Sequence, residues 1–124
     1  MINITVHLED IVKALNLRVV SGEEGLAAEV LGGYVGDLLS DVMANSKEGD
    51  LWITRQTHQN IVAVASLKDH AGIILIQGCN PAADTLDKAR KEGIPIMVTD
   101  MPGFEVIGKV YNMLATKKGP DPST

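Results

Sequence analysis

The strongest constraint in this chain is an alternation that fills its second half. Three short aliphatic runs, Leu51 to Thr54, Gly72 to Ile76 and Pro95 to Thr99, are each followed by a stretch with helical spacing of apolar residues. Gly72-Ile73-Ile74-Leu75-Ile76 has no polar residue, the pattern of a strand covered on both faces. Strands that alternate with helices pair in parallel through crossover connections. The expected fold class is therefore α/β: a mainly parallel sheet with flanking helices and three consecutive βα units in the second half.

The helices of these units follow from local chemistry. Asn60 to Leu67 is an apolar helix. Pro81 suits a first helical position, Ala83, Leu86 and Ala89 form an inward face, and Gly93 suits the stop. A last helix over 104–115 places Phe104, Ile107, Tyr111 and Leu114 on one face.

The first half is less regular. Leu8, Ile11, Val12 and Leu15 form one face of a helix, with Thr5 as its N-cap. Leu17 to Val20 reads as a short strand that ends at the turn Ser21-Gly22-Glu23-Glu24-Gly25. Glu29 to Val35 reads as a second strand, interrupted at Gly32 and Gly33. The paired glycines mark either a bulge or a close approach of a ligand or second subunit. Asp37 is placed to cap a helix that buries Leu38, Leu39, Val42 and Met43. A single domain is expected over 1–116, with a disordered tail at 117–124.

Composition narrows the function. The net charge is −5, from 11 basic and 16 acidic residues, and the basic ones are scattered. Binding nucleic acid needs clustered cations to replace counterions, and Trp52, Phe104, Tyr34 and Tyr111 are too few for base stacking. Neither a leader segment nor an apolar run of membrane-spanning length is visible. The single Cys79 forms no intrachain disulfide and suits a reducing cytoplasm. The three histidines have no metal-ligand spacing, and His7 and His70 read as surface residues. The dinucleotide fingerprint and the phosphate loop are both absent, so no cofactor is expected.

In parallel sheets, ligands bind beyond the carboxyl ends of the strands. The turns Arg55-Gln56-Thr57-His58, Gln77-Gly78-Cys79-Asn80 and Asp100-Met101-Pro102-Gly103 share that edge, each before a helix whose free N–H groups favour an anion. The ligand-binding set read from this edge is Thr54, Gln56, Thr57, His58, Gln77, Gly78 and Thr99, with Gly32, Gly33, Tyr34 and Asp37 from the preceding strand and turn. Thr57 caps its helix in this reading. His58 either donates to a ligand oxygen or is a solvated first-turn residue. Asp37 and Asp41, one turn apart, either stabilise a helix start or, with His58, do acid–base work. Ser40 lacks a nucleophile-elbow context. Cys79, before a helix, is either a reactive thiol or a small packing residue.

The stretch from Leu51 to Val62, the stretch from Ala71 to Pro81, the strand Gly93 to Thr99 and the earlier Gly32-Gly33-Tyr34-Val35-Gly36-Asp37 together resemble the DRTGG domain family. The resemblance spans roughly residues 5 to 115. It implies a regulatory module related in fold to the N-terminal domain of the HPr kinase/phosphorylase. Family members stand alone or attach to larger enzymes, and in CBS-domain pyrophosphatases they contribute to a dimer interface. The name-giving residues fall at Thr57, His58, Ile76, Gln77 and Gly78, of which Gly78 alone is kept. The expected function is thus a non-catalytic cytoplasmic homodimer that senses a small, possibly nucleotide or phosphorylated, ligand or engages a partner protein. A small phosphate-group transferase or hydrolase using Asp37, Asp41 and His58 is the alternative.

Overall fold

The computed structural model of the chain describes residues 5–116 of its 124. The expected tail at 117–124 lies outside the described residues. The elements run α1 (Leu8–Leu15), β1 (Arg18–Ser21), a 3-10 turn (Glu23–Gly25), β2 (Gly32–Val35), α2 (Leu39–Asn45), β3 (Asp50–Thr54), α3 (Asn60–Leu67), β4 (Gly72–Leu75), α4 (Ala83–Glu92), β5 (Ile96–Val98) and α5 (Gly103–Thr116). The sheet order is β1-β5-β4-β3-β2. β2 to β5 are mutually parallel, and β1 joins β5 antiparallel. The mainly parallel α/β sheet and the three βα units are as the aliphatic runs imply.

Alternation along the central strands builds two cores. Leu51, Ile53, Ile74, Ile76 and Met97 face one side, where α1 supplies Leu8, Ile11 and Leu15 and α5 supplies Val106 and Val110. Trp52, Ile73, Leu75, Ile96 and Val98 face the other, under Val42 of α2, α3 and Ala89 of α4. Each fully buried Leu or Ile contributes roughly 1.5–3 kcal/mol. Trp52 is fully buried, and its indole N–H donates to the Gly36 carbonyl at 2.9 Å. That bond ties β3 to the turn after β2.

Several local expectations are overturned. α1 is capped by His7, not Thr5: the Asp10 carboxylate accepts the His7 backbone N–H at 2.8 Å. A left-handed Asn16 (φ 54°) ends α1, so β1 starts at Arg18. Gly32 and Gly33 make no bulge, since they pair in regular register with Asp50 and Leu51. A Cβ on Gly32 would lie 2.8 Å from Asp50 Oδ1, so the close approach there is internal. The cap position of α2 is Leu38, which is 68% exposed, and Val42 alone of the expected apolar set is fully buried. In α4, Pro81 precedes the helix and Ala83 is exposed, while Thr85 is buried because its hydroxyl bonds the Thr57 carbonyl at 2.8 Å. In α5, Gly103, Val106 and Val110 are buried with Ile107 and Leu114 packed half-buried beside them, so the apolar face divides: Phe104 and Tyr111 point out, 93% and 72% exposed.

His70 is buried, not a surface histidine. The Ser46 hydroxyl donates to the Val42 carbonyl at 2.6 Å, so its proton is spent. The 2.8 Å contact between Ser46 Oγ and His70 Nε2 therefore needs the ring to donate. His70 Nδ1 is then a bare acceptor, buried without a partner. The ring meets Trp52 edge-on at 5.6 Å. Burial pushes the His70 pKa down; Asp50 and Asp69 oppose that, and Lys68 adds to it.

Two predictions follow from the packing. Gly22 has φ +69°, and a Cβ there would sit 2.4 Å from the Pro95 backbone nitrogen. Gly22→Ala should therefore cost about 2 kcal/mol or more in urea unfolding; an unchanged midpoint would contradict the packing. For His70, the unfolded state binds the proton more tightly. Stability is full above the ordinary value of about 6.5 and falls as pH drops below it, toward the depressed folded value. The melting temperature should fall between about pH 7 and about pH 5, and fall less in His70→Gln. Parallel curves for the two proteins would reject this role for His70.

Candidate functional site

The carboxyl ends of β2, β3, β4 and β5 share one edge, so the three turns singled out in the sequence meet on one rim. The antiparallel β1 adds what no periodicity announced. Its first residue, Arg18, pairs with Val98, the last residue of β5, and so stands at the same rim. The left-handed Asn16 turns the chain out of α1, with the Leu17 N–H returning to the Val12 carbonyl at 3.0 Å. Asn16 and Arg18 are thereby set beside the β4–α4 and β5–α5 turns.

Between them lies a cleft of about 480 Å³. Leu15, Val98 and Met101 give it apolar surface; Asn16, Arg18, Asn80, Thr99 and Asp100 give it polar groups; Gly78 and Cys79 complete the wall. Arg18 Nη2 donates to Asn80 Oδ1 at 3.4 Å, and Asn80 Nδ2 donates to the Gly78 carbonyl at 3.3 Å. The β4–α4 turn is held by Gln77 (φ 56°) and Gly78 (φ 75°), both left-handed. The Gln77 N–H donates to the Met101 carbonyl and the Gly78 N–H to the Thr99 carbonyl, each at 3.0 Å. The Cys79 N–H is spent on Ile76, and the Met101 N–H on Thr99 Oγ1. These backbone donors are used inside the protein. What the cleft offers to a ligand is therefore side chains rather than those amides, with Arg18 the cation and Asp100 the carboxylate.

A second cleft, of about 500 Å³, lies at the opposite edge of the sheet. Its charged lining is Glu29, Glu48 and Asp69, beside His70. Arg18 and Asp100 offset each other in the first cleft, whereas the charged side chains of the second are acidic apart from its histidine, so the second is the less hospitable to an anion. Among the described residues, no group of His, Cys, Asp and Glu is arranged to hold a metal ion.

The predicted site residues fall into two groups. Gly78 and Thr99 line the Arg18 cleft, and Gln77 anchors its turn. Tyr34, Asp37, Thr54, Gln56, Thr57 and His58 lie at the β2–β3 end of the rim, away from that cleft. Asp37 does not cap α2; its Oδ1 accepts the Thr54 hydroxyl at 2.7 Å and the Arg55 N–H at 2.8 Å. The Arg55 N–H bond, with help from the Thr54 hydroxyl and the Arg55 charge, holds the Asp37 carboxyl below the usual range. Tyr34 donates to the Asp41 carboxylate, which raises the phenol pKa, and Asn45 donates to Asp41 Oδ1 at 2.9 Å. Thr57 does not cap α3; its carbonyl accepts from Thr85 and from the Ala82 N–H. His58 Nδ1 accepts the Asn60 N–H at 3.2 Å, so the neutral ring carries its proton on Nε2. Gly32 and Gly33 open β2, toward its amino end and away from the rim.

A family model described as the DRTGG domain matches residues 10–113. The chain belongs to the DRTGG domain family. The fold of this DRTGG domain is similar to a solved structure of the CBS and DRTGG domains of the regulatory region of Clostridium perfringens pyrophosphatase, complexed with its activator diadenosine tetraphosphate. The TM-score is 0.65 at 19% identity, over 82% of this chain and 44% of that one. The chain thus spans less than half the length of that relative. A search of curated proteins gives no match.

Asn16 and Arg18 escaped the sequence reading because β1 carries only four residues and nothing in them announces an antiparallel partner. At the other end of the rim, the Asp37–Thr54 bond is testable. Asp37→Ala and Thr54→Val should each cost about 1–2 kcal/mol in chemical unfolding. The double variant should cost less than their sum, because both remove one bond. Strict additivity would show that the contact carries no energy.

Proposed function

We propose that this DRTGG domain is a non-catalytic regulatory module. It senses a small anionic ligand, a nucleotide or other phosphorylated metabolite, and works as a homodimer or through a partner protein. The observation that carries the reading is the Arg18 cleft: one guanidinium, two amide side chains, the Asp100 carboxylate and some apolar surface, open at the carboxyl edge of a parallel sheet. Ligands favour that edge in open α/β sheets. A guanidinium fits a phosphate oxygen pair, and the amides of Asn16 and Asn80 suit neutral polar groups. The regulatory setting of the pyrophosphatase DRTGG domain, and the nucleotide activator of that protein, support the same direction.

The non-catalytic reading has support in how the carboxylates are engaged. Asp37 braces the β3 turn, and Asp41 holds Tyr34 and Asn45. His58 spends Nδ1 on its own helix start. Each group of the alternative transferase or hydrolase thus has a structural task. The described residues contain no helix long and apolar enough to cross a membrane. A cytoplasmic setting agrees with the free thiol of Cys79.

A thermal-shift panel of nucleotides and phosphorylated metabolites tests the proposal. A specific ligand at about 100 times its Kd should add roughly 2.7 kcal/mol and raise the melting temperature by roughly 10 °C, with a clear concentration dependence. Arg18→Ala should weaken that response at least ~tenfold. A flat response across the panel would end the ligand-sensing claim. Loss of the response in His58→Ala but not in Arg18→Ala would move the site to the β2–β3 end.

A further inference from the structure

α5 carries an apolar stripe that the fold covers only in part: Ile107 and Leu114 pack half-buried against the core, and Phe104 and Tyr111 stay outside it. Gly103, Val106 and Val110 face the sheet. Phe104, Ile107, Tyr111 and Leu114 recur at alternating intervals of three and four, the spacing of a helix–helix seam. Phe104 and Tyr111 point to solvent at 93% and 72% exposure, while Ile107 and Leu114 are half-buried at its margin. These are two of the four aromatics in the chain. A helix that is apolar on both sides is ordinarily covered on both sides.

Gly108 sits in the middle of the outer stripe. A Cβ there would meet nothing within 4 Å, so packing within the chain does not call for glycine. Glycine inside a helix costs about 1 kcal/mol relative to alanine. Glycine there leaves room for a second helix to approach the α5 backbone between two large rings.

We infer that the outer stripe of α5 is the surface on which a second copy of this chain docks, the two α5 helices crossing antiparallel at Gly108. This rests on the homodimer reading and names its interface. The order aromatic, aliphatic, small, aromatic (Phe104, Ile107, Gly108, Tyr111) is complementary to its own reverse. A twofold axis sets Phe104 against the partner's Tyr111 and lays Ile107 into the gap over the partner's Gly108, as an isologous contact requires. Gly103 and Val110, on the inner margin of the stripe, are buried against the sheet; the exposed surface beside the two rings is Gly108 and Ala115, with Glu105 and Asn112 beyond them. The two rings supply on the order of 300 Å² per copy. Ile107, Leu114 and Ala115 add to this, as does the exposed Val35 on the α5 face of β2, toward the roughly 800 Å² per partner of a standard interface.

Sedimentation velocity on the full chain across a micromolar concentration series tests this. The unmodified protein should be a dimer. Tyr111→Glu and Phe104→Asp, both at outward positions, should each weaken dimerisation at least ~tenfold while circular dichroism stays unchanged. Gly108→Leu should raise the stability of the monomer through helix propensity and still weaken the dimer, a combination that a purely structural role for Gly108 does not produce. A dimer that survives all three substitutions overturns the α5 seam and leaves the homodimer reading standing. An unmodified protein that is monomeric throughout the series overturns both.

Discussion

Everything in this domain is arranged around a parallel ladder, β3-β4-β5, buried on both faces. Leu51, Trp52, Ile73, Ile74, Leu75, Ile96 and Met97 have no exposed surface. A strand covered on both sides leaves no choice of which side faces water, and its connections must cross over outside the sheet. The helices fall on two faces as a result, and the strand ends collect on one edge. The rim and its cleft are consequences of that geometry. They do not depend on a motif.

The rim is not uniform. At the β2–β3 end, the Asp37 carboxylate is spent on Thr54 and Arg55, His58 Nδ1 on the start of α3, and the Thr57 backbone carbonyl on Thr85 of α4. At the β4–β5 end, backbone bonds together with the Asn80 and Thr99 side chains hold the turns, and Asn16, Arg18 and Asp100 line a cavity. The degenerate name-giving positions straddle both ends. Thr57 and His58 now serve structure, whereas Gly78 still shapes the cleft wall.

The outward stripe of α5 illustrates a limit of periodicity. Spacing identifies Phe104, Ile107, Tyr111 and Leu114 as an apolar face, and the face is real. Spacing does not say what covers it. The narrower stripe of Gly103, Val106 and Val110 lies against the sheet because Gly103 brings the helix start close to the Ile76 side chain. His70 shows the same limit for polar residues: one histidine among lysine and aspartate reads as exposed, yet the chain folds it against Trp52 and Ser46.

By itself the sequence determined the class of fold, the three βα units and the edge where their turns meet. Those depend on local periods, 2.0 for strands and 3.6 for helices, that are written into consecutive residues. Tertiary structure decided that β1 runs against β5, that Arg18 and Asn16 stand beside Asn80 sixty residues away in the chain, and that α5 turns its aromatics outward. Each of these is a choice among partners distant along the chain. No local period encodes it, because it is settled by which surfaces remain uncovered once the central ladder has closed.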